Sequence, residues 1–174
     1  MTTNSTKSKQ MNPQGMNLFI VDDNKLMVTG LKQYLYNRFG KMLNISTFHT
    51  GESCLEKVDQ NTNLVILDYF LDGKNGNDIL KSIKLINPKT EVIILSSNED
   101  IGTAIESFHQ GATDYVVKND KAWKKIIPHV YRSITEPIRK LAREYGFSKF
   151  MAIFLFTFIL MGLAVLFVLK VIPR

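Results

Sequence analysis

The sequence predicts an α/β fold in which helices cover both faces of a five-stranded parallel sheet, followed by one apolar C-terminal helix. Three observations lead to this prediction. Short apolar runs alternate five times with amphipathic stretches between residues 17 and 133, as in parallel sheets with crossover helices. Polar side chains that can perform chemistry follow four of these runs. A last run of 20 residues, from Phe150 to Leu169, carries no charge.

The chain of 174 residues is long enough for one ordinary domain with an appendage. Residues 1–16 are polar and contain no apolar segment of the kind found in secretory signals, so they are predicted to be a disordered leader. Residues 17–133 are predicted to form the domain.

The strands are predicted where apolar residues cluster between turn-forming segments. They are Leu18 to Val21, Leu43 to Thr47, Leu64 to Leu67, Val92 to Leu95 and Asp114 to Val117. Each is four or five residues long, which suits strands buried on both faces.

Helical spacing of apolar residues separates these strands. The marks of the first three helices are Leu26, Leu31 and Leu35, then Leu55 and Val58, then Ile79, Leu80 and Ile83. The fourth is marked by Ile101, Ala104, Ile105 and Phe108 and ended by Gly111, and the fifth by Trp123, Ile126, Ile127 and Val130. Pro128 is expected to kink the fifth helix or to displace its start.

Residues 134–149 are predicted to form a basic, amphipathic juxtamembrane segment. Ile134, Ile138, Leu141 and Tyr145 fall on one helical face, and Pro137 suits a first helical turn. An extension of the fifth helix that packs on the domain remains an alternative.

Residues 150–170 are predicted to form a transmembrane helix, because about 20 apolar residues cross a hydrocarbon core of roughly 30 Å. A fully buried core helix is the alternative. Residues 171–174 would be a short tail. Of the net charge of +6, residues 134–174 hold six basic and two acidic side chains, hence +4, and the preceding 133 residues hold +2. This distribution favours a membrane over nucleic acid, with the domain in the cytoplasm.

The remaining reactive residues predict little. Cys54 is the only cysteine, which excludes a disulfide framework and fits a reducing compartment. His49, His109 and His129 have no metal-ligand spacing and are interpreted as solvated surface residues.

Four strand ends carry the candidate site. Asp22 and Asp23 follow the first predicted strand, Asp68 the third, Ser96 the fourth and Lys118 the fifth. Ligands of open parallel sheets bind beyond the carboxyl ends of the strands, so these groups are expected to converge. Three converging carboxylates repel one another unless a cation lies between them, and oxygen ligands favour Mg²⁺. With such an ion, one carboxylate can attack a phosphoryl group while a lysine neutralises its oxygens.

From Asn17 to Tyr131 the sequence resembles the receiver domains of bacterial two-component response regulators. The segments that carry the resemblance are LFIVDDNK, LVILDYFLDGKNGND, VIILSSNED and GATDYVVK. Ser96 and Lys118 lie 28 and 50 residues after Asp68, as in that family, and Gly76 lies where receivers place a glycine. The resemblance implies a flavodoxin-like, doubly wound fold.

The resemblance also implies a role for each matching residue. Asp68 would be the phosphoacceptor, assisted by Lys118 and Ser96, and Ser96 and Tyr115 would form the switch. Mg²⁺ would be bound by Asp22, Asp23, Asp68 and the backbone carbonyl of Phe70, with Asp22 acting largely through water. Phe70 and Asn98 would tune hydrolysis of the acyl phosphate, and the bulky Phe70 predicts slow self-dephosphorylation.

One departure concerns the loop that carries the lysine. Receivers usually have proline after this lysine, with a cis peptide, whereas Lys118 is followed by Asn119. A cis bond before a residue other than proline costs about 2.5–4 kcal/mol, so a trans bond is expected here.

The sequence therefore predicts a non-enzymatic phosphoacceptor at the bacterial inner membrane, with its receiver domain in the cytoplasm. It would be phosphorylated by a histidine kinase or a histidine phosphotransfer protein. It would signal to an unknown output protein, without nucleic acid, or dimerise through its fourth helix, fifth strand and fifth helix. A phosphate sink, a Mg²⁺-dependent aspartyl phosphohydrolase and a pseudo-receiver scaffold that is never phosphorylated are the alternatives.

Overall fold

Five strands pair in parallel to form the central sheet. They are β1 (Met16–Val21), β2 (Leu43–Phe48), β3 (Thr62–Asp68), β6 (Glu91–Ser96) and β7 (Asp114–Val117). Their order is β2-β1-β3-β6-β7, and β4 (Phe70–Leu71) and β5 (Lys74–Asn75) form a separate antiparallel pair. The flavodoxin-like parallel sheet is confirmed, and every predicted strand lies within an observed one.

The computed structural model describes residues 15–71, 74–144 and 146–171. Most of the predicted leader and the last three residues of the predicted tail therefore lie outside the described residues, as does Tyr145. The chain divides after Ile134 into two compact units, of which the first contains the sheet.

Six helices complete the description. They are α1 (Lys25–Phe39), α2 (Gly51–Leu55), α3 (Gly76–Ile86), α4 (Ile101–His109), α5 (Ala122–Glu144) and α6 (Gly146–Val171). Asn24, Thr50, Asn75 and Asp100 cap the first four by accepting hydrogen bonds from backbone amides of the first turn. Each of these helices follows a strand of the parallel sheet, so the four caps lie toward its carboxyl edge.

The core lies in two layers, because alternate residues of a strand point to opposite faces. On one face, Leu18, Ile20, Leu64 and Ile66 pack with residues of α1 and α5. On the other face, Phe19, Val21, Val65 and Leu67 pack with residues of α2 and α3. Helices on both faces leave the carboxyl edge of the sheet as the open end.

Some apolar residues used to predict helices do not lie in the core. Leu26 is 85% exposed, whereas Leu31 and Leu35 are buried as their spacing suggested. On α4 the apolar face points to solvent, since Ile101 is 74% exposed and Phe108 is 48% exposed. Helical spacing identified both helices correctly but could not show which face packs on the sheet.

Pro128 neither ends the fifth helix nor displaces its start. Helix α5 begins at Ala122 and continues through Pro128 and Pro137 to Glu144. Residues 134–144 are therefore helical and continuous with the fifth helix. The side chains of Ile138 and Leu141, on which the amphipathic face depended, lie outside the described part.

The C-terminal apolar run was expected to cross a membrane. Within the residues whose side chains the structure describes, no helix is both long enough and apolar enough to do so. The membrane span from 150 to 170 is therefore not confirmed.

Candidate functional site

The predicted site residues meet at the carboxyl edge of the sheet because the register aligns the strand ends. Asp68 is the last residue of β3 and pairs with Leu95, while Ser96 of β6 pairs with Val117. Lys118 follows directly, and its backbone amide donates to the Ser96 carbonyl at 2.7 Å. The strands themselves bring these groups together.

Three carboxylates form an acidic cluster at this edge. One oxygen each of Asp22, Asp23 and Asp68 lies within 4.8 Å of the other two. Asp22 and Asp68 are buried, being 2% and 5% exposed, whereas Asp23 faces solvent. The cluster is open to solvent on the side of Asp23, where an ion can enter.

Lys118 bridges the two buried carboxylates. Its Nζ lies 2.8 Å from the Oδ2 atom of Asp68 and 2.9 Å from the Oδ2 atom of Asp22. Burial lowers the pKa of this ammonium group, but the two carboxylates outweigh burial and hold the pKa above its usual value. Lys118 is therefore charged, and it reaches Asp68 although the described residues contain no cis peptide bond.

At Asp68, the phosphoacceptor candidate, burial and the neighbouring charges have the opposite balance of effects on the pKa. Burial raises the pKa of the Asp68 carboxyl and outweighs the opposing effect of Lys118, while the nearby Asp22 adds to the rise. The ionised form of Asp68 is thus incompletely compensated by one ammonium group. A second cation at the cluster would favour its ionisation.

The cluster fits a divalent cation. The Asp22 Oδ2 atom is buried and makes no hydrogen bond of acceptable direction, even though Lys118 lies close. An inaccessible oxygen without a directed donor can bind a metal ion, and a set of oxygen ligands suits a hard ion such as Mg²⁺. The residues present could hold this ion through Asp22, Asp23 and Asp68.

The switch candidates form a hydrogen-bonded group beside Asp68. The Asn98 backbone amide donates to the Ser96 Oγ atom at 3.0 Å, and the Tyr115 hydroxyl donates to the Asn98 carbonyl at 2.8 Å. The Asn98 side chain instead donates to the Thr103 hydroxyl of α4 at 3.3 Å. Burial raises the pKa of Tyr115, so this phenol is protonated and acts as a donor.

Phe70 lies at the mouth of the site. It is 55% exposed, and its ring meets the Tyr69 ring edge to face at 4.8 Å between centroids. Tyr69 in turn meets Tyr115 at 6.5 Å. A Cβ atom on Gly76 would lie 2.7 Å from the Asp68 carbonyl oxygen, so this glycine permits α3 to start against the phosphoacceptor loop.

Sequence reasoning missed two contributors to the site. The backbone amide of Asn24 donates to Asp22 at 2.9 Å, and a ring nitrogen of His49 lies 3.1 Å from the Asp22 carbonyl oxygen. His49 was set aside as a surface residue, yet it follows the end of β2 directly. Applying the strand-end rule to this strand would have found it.

Comparisons with known proteins agree with this geometry. The family model described as "Response regulator receiver domain" matches residues 18–126. The transcriptional regulatory protein ZraR of Escherichia coli K12 is 31% identical over 143 residues, covering 78% of this chain and 32% of that protein. The DNA-binding transcriptional regulator NtrC of Klebsiella pneumoniae is 34% identical, with coverages of 58% and 21%. The chain thus matches a third or less of these two relatives' lengths.

Solved structures resemble the same part of the chain. The BeF3-activated receiver domain of DrrB is 28% identical, with a TM-score of 0.60, and the match covers 69% of this chain and 97% of that one. A CheY-like receiver domain from Methanospirillum hungatei has a TM-score of 0.63 at 20% identity, with coverages of 72% and 98%. At 20% identity the second likeness shows the fold alone.

Proposed function

This chain belongs to the family of response regulator receiver domains, and on that premise we propose that Asp68 accepts a phosphoryl group from a histidine kinase or a histidine phosphotransfer protein. The observation that carries the proposal is the bridge from Lys118 to Asp68 and Asp22 inside an acidic cluster. It combines a nucleophile, a fixed cation and ligands for a second cation in one place.

The chemistry assigned to these residues is a single displacement. An oxygen of Asp68 attacks phosphorus, the bond from phosphorus to the donor nitrogen breaks, and the donor imidazole leaves with the electron pair. The Lys118 ammonium lies where charge grows on the phosphoryl oxygens. Bound Mg²⁺ would supply a second positive charge at the same oxygens. Asp22, Asp23, Asp68 and the Phe70 carbonyl are proposed to hold it.

The switch residues are proposed to report whether the phosphoryl group is present. The Ser96 hydroxyl accepts one hydrogen bond and keeps a proton that it can donate to a phosphoryl oxygen. Tyr115 is tied to the same segment through Asn98. A shift of Ser96 toward Asp68 would therefore be transmitted to Tyr115.

The test uses the whole chain with Mg²⁺ and a small acyl phosphate donor. We expect one labile acyl phosphate per chain that is lost in Asp68→Asn and kept in Asp78→Asn, which removes an exposed carboxylate of α3. Continuous release of phosphate by the wild-type chain would instead favour a phosphohydrolase. If neither the small acyl phosphate donor nor a histidine kinase phosphorylates the chain, it behaves as a pseudo-receiver and the proposal is overturned.

Output is proposed to pass to a protein partner rather than to DNA. ZraR and NtrC are named as regulators of transcription, and NtrC as DNA-binding, whereas residues 1–133 of this chain carry a net charge of only +2. The exposed face of α4 offers a protein-binding or dimerisation surface together with β7 and α5. Measuring the mass of the chain with and without phosphorylation separates a dimer from a monomer that needs another protein.

Attachment to the inner membrane is a further part of the proposal. The supporting observations are the uncharged sequence from Phe150 to Leu169 and the exposure of the apolar side chains described on α6, such as Phe156 at 63% and Leu166 at 64%. The side chains of Phe150, Val168 and Leu169 are outside the described part. We expect the whole chain to resist alkaline extraction from membranes and a chain ending at Lys149 to be released. Release of both chains would refute the anchor.

A further inference from the structure

Helix α4 is attached to the rest of the receiver in an unusual way. Its large apolar residues Ile101, Ile105 and Phe108 are exposed, and among its described residues only Ser107 is fully buried. Burial of apolar side chains is the main force that holds most helices on a sheet. For α4 this force is weak, so individual polar contacts decide where it sits.

Ser107 makes the principal polar contact with a neighbouring helix. Its single hydroxyl proton can be donated to the Asn77 Oδ1 atom of α3 at 2.9 Å or to the Thr103 carbonyl of its own helix at 3.0 Å, so the two acceptors compete for it. Both Ser107 and Asn77 are buried, at 0% and 1% exposure. The Asn77 Nδ2 atom is also buried and has no hydrogen-bond partner. The contact is therefore polar, dry and only partly satisfied.

A buried polar contact that is only partly satisfied breaks more readily than a well-packed apolar contact. Leaving the buried Asn77 Nδ2 atom without a partner is unfavourable, so the contact contributes no more net stability than one ordinary hydrogen bond. The contact has a defined direction and length, so it selects one position of α4 while adding little net stability. A modest force can then release it.

Hydrogen bonds connect both ends of this contact to the site. On the α3 side, the residue before Asn77 is Gly76, whose amide donates to the Tyr69 carbonyl at 2.7 Å, directly after Asp68. On the α4 side, Thr103 accepts from Asn98, which is bonded to Ser96.

We propose that Asn77 and Ser107 form a latch that holds α4 in the position described here and opens when Asp68 is phosphorylated. The opening part rests on the proposed function, because it needs Asp68 to accept the group. Movement of Ser96 toward the phosphoryl group pulls on Thr103 through Asn98. In that path the Asn77–Ser107 bond is the contact that joins α4 to a second helix.

The latch is tested by amide hydrogen exchange of residues 101–109 in the 174-residue chain. In the metal-free protein, Ser107→Ala removes the bond, and α4 should exchange roughly two- to tenfold faster, the factor equivalent to one net hydrogen bond. Ser133→Ala is the matched control, because the Ser133 hydroxyl also donates to the carbonyl four residues earlier but to no second helix. We expect it to leave α4 exchange unchanged.

A second arm adds Mg²⁺ and beryllofluoride, a stand-in for the phosphoryl group. It should accelerate α4 exchange in the wild-type chain and in Ser133→Ala, but little further in Ser107→Ala, where the latch is already open. The double variant Asn77→Leu with Ser107→Ala replaces the polar pair by an apolar one. It should restore thermal stability and slow α4 exchange without restoring the response.

The outcomes separate the latch from the phosphoacceptor. The latch is overturned if α4 of Ser107→Ala exchanges at the wild-type rate in the metal-free protein and accelerates as the wild type does when beryllofluoride is added. A full beryllofluoride response in the double variant would overturn its coupling to the site. If beryllofluoride changes nothing in any chain, the proposed function fails, while the metal-free comparison still decides whether the latch holds α4.

Discussion

Lys118 explains how two carboxylates can remain buried beside each other before any metal binds. Its ammonium touches an oxygen of both Asp68 and Asp22, so each buried charge has a partner. A buried ion pair is not a source of large net stability, because desolvation offsets most of the attraction. The arrangement is better understood as preorganisation for a phosphoryl group, whose oxygens need this cation.

Phe70 should control how long the acyl phosphate survives. We predict that its apolar ring restricts the approach of water to the phosphoryl group, whereas a polar side chain at this position would help to orient a water molecule. We expect Phe70→Asn to shorten the lifetime of the phosphorylated chain by about tenfold, equivalent to ~1.4 kcal/mol of barrier. The decay of labelled protein after removal of the donor measures this lifetime.

The control for that experiment is Phe108→Asn, since Phe108 is another half-exposed phenylalanine but lies on α4. It should leave the lifetime near that of the wild type. An unchanged or longer lifetime in Phe70→Asn would show that the ring does not shield the phosphoryl group.

Cys54 should be chemically inert in the folded chain. It is fully buried, and burial raises the pKa of its thiol to about 12. At pH 8 only roughly one thiol in ten thousand is then ionised, and alkylating reagents need the thiolate. We expect iodoacetamide to label Cys54 only in denaturant, as measured by mass spectrometry. Rapid labelling without denaturant would mean that α2 opens readily in the native state.

At the scale of elements, the start of α3 depends on Gly76. A Cβ atom there would meet backbone atoms, at 2.7 Å from the Asp68 oxygen and 2.8 Å from the Tyr69 Cα atom. Backbone cannot rotate away, so Gly76→Ala should displace the phosphoacceptor loop, lower the free energy of unfolding by about 1–3 kcal/mol and slow phosphorylation. Denaturant midpoints and the rate of acyl phosphate formation measure the two effects.

Gly102→Ala is the comparison in the first turn of α4. Its added Cβ atom would meet a side-chain oxygen of Asp100 at 3.1 Å, which can adjust. We expect a small change in stability and normal phosphorylation. If both variants behaved alike, the close approach at Gly76 would not be what positions the loop.

Strands and helices differed in how well the sequence predicted them. Strands such as β3 are buried on both faces, so their apolar runs identify them without any need to know the packing. The apolar spacing on α4 predicted a helix correctly, but a spacing repeat has no information about which neighbour it contacts. Ser107, which alone is buried there, is polar and gave no signal.

The site was more predictable than the packing around it. Asp68, Ser96 and Lys118 are placed by the ends of parallel strands, and strand ends can be located from the sequence. The Asn77–Ser107 contact joins residues 30 positions apart on two helices whose relative position only the folded chain defines. No periodicity in the sequence indicates such a pair.

At the scale of the whole molecule, the sheet and the candidate site belong to the same unit of the chain. The sheet and its two core layers belong to the unit that ends at Ile134, and the basic excess belongs to the residues after it. Every group assigned to phosphoryl transfer lies in the first unit. Global unfolding of this unit therefore reports the cost of assembling the site.

That cost should be visible as a stability gain when Asp68 is neutralised. Burial raises the Asp68 pKa, so the ionised carboxylate opposes folding at neutral pH, and the opposition disappears only as the pH falls through the raised pKa. Lowering the pH would also remove favourable effects, because the Thr103 amide holds the pKa of Asp100 below its usual value. Asp68→Asn isolates the first effect. In EDTA we expect this variant to melt at a higher temperature than the wild type.

Magnesium should reverse the order of the melting temperatures of the wild-type chain and Asp68→Asn. A ligand that binds only the folded state stabilises it more at a given concentration the tighter it binds. Asp68→Asn loses one of three carboxylate ligands, while Asp22 keeps its contact with Lys118. We therefore expect Mg²⁺ to raise the melting temperature of the wild-type chain more than that of the variant. Asp78→Asn, at a carboxylate that is 74% exposed, should match the wild type in both buffers. A variant that melts below the wild type in EDTA would show that Lys118 fully compensates Asp68 and that metal-free folding bears no cost for the site.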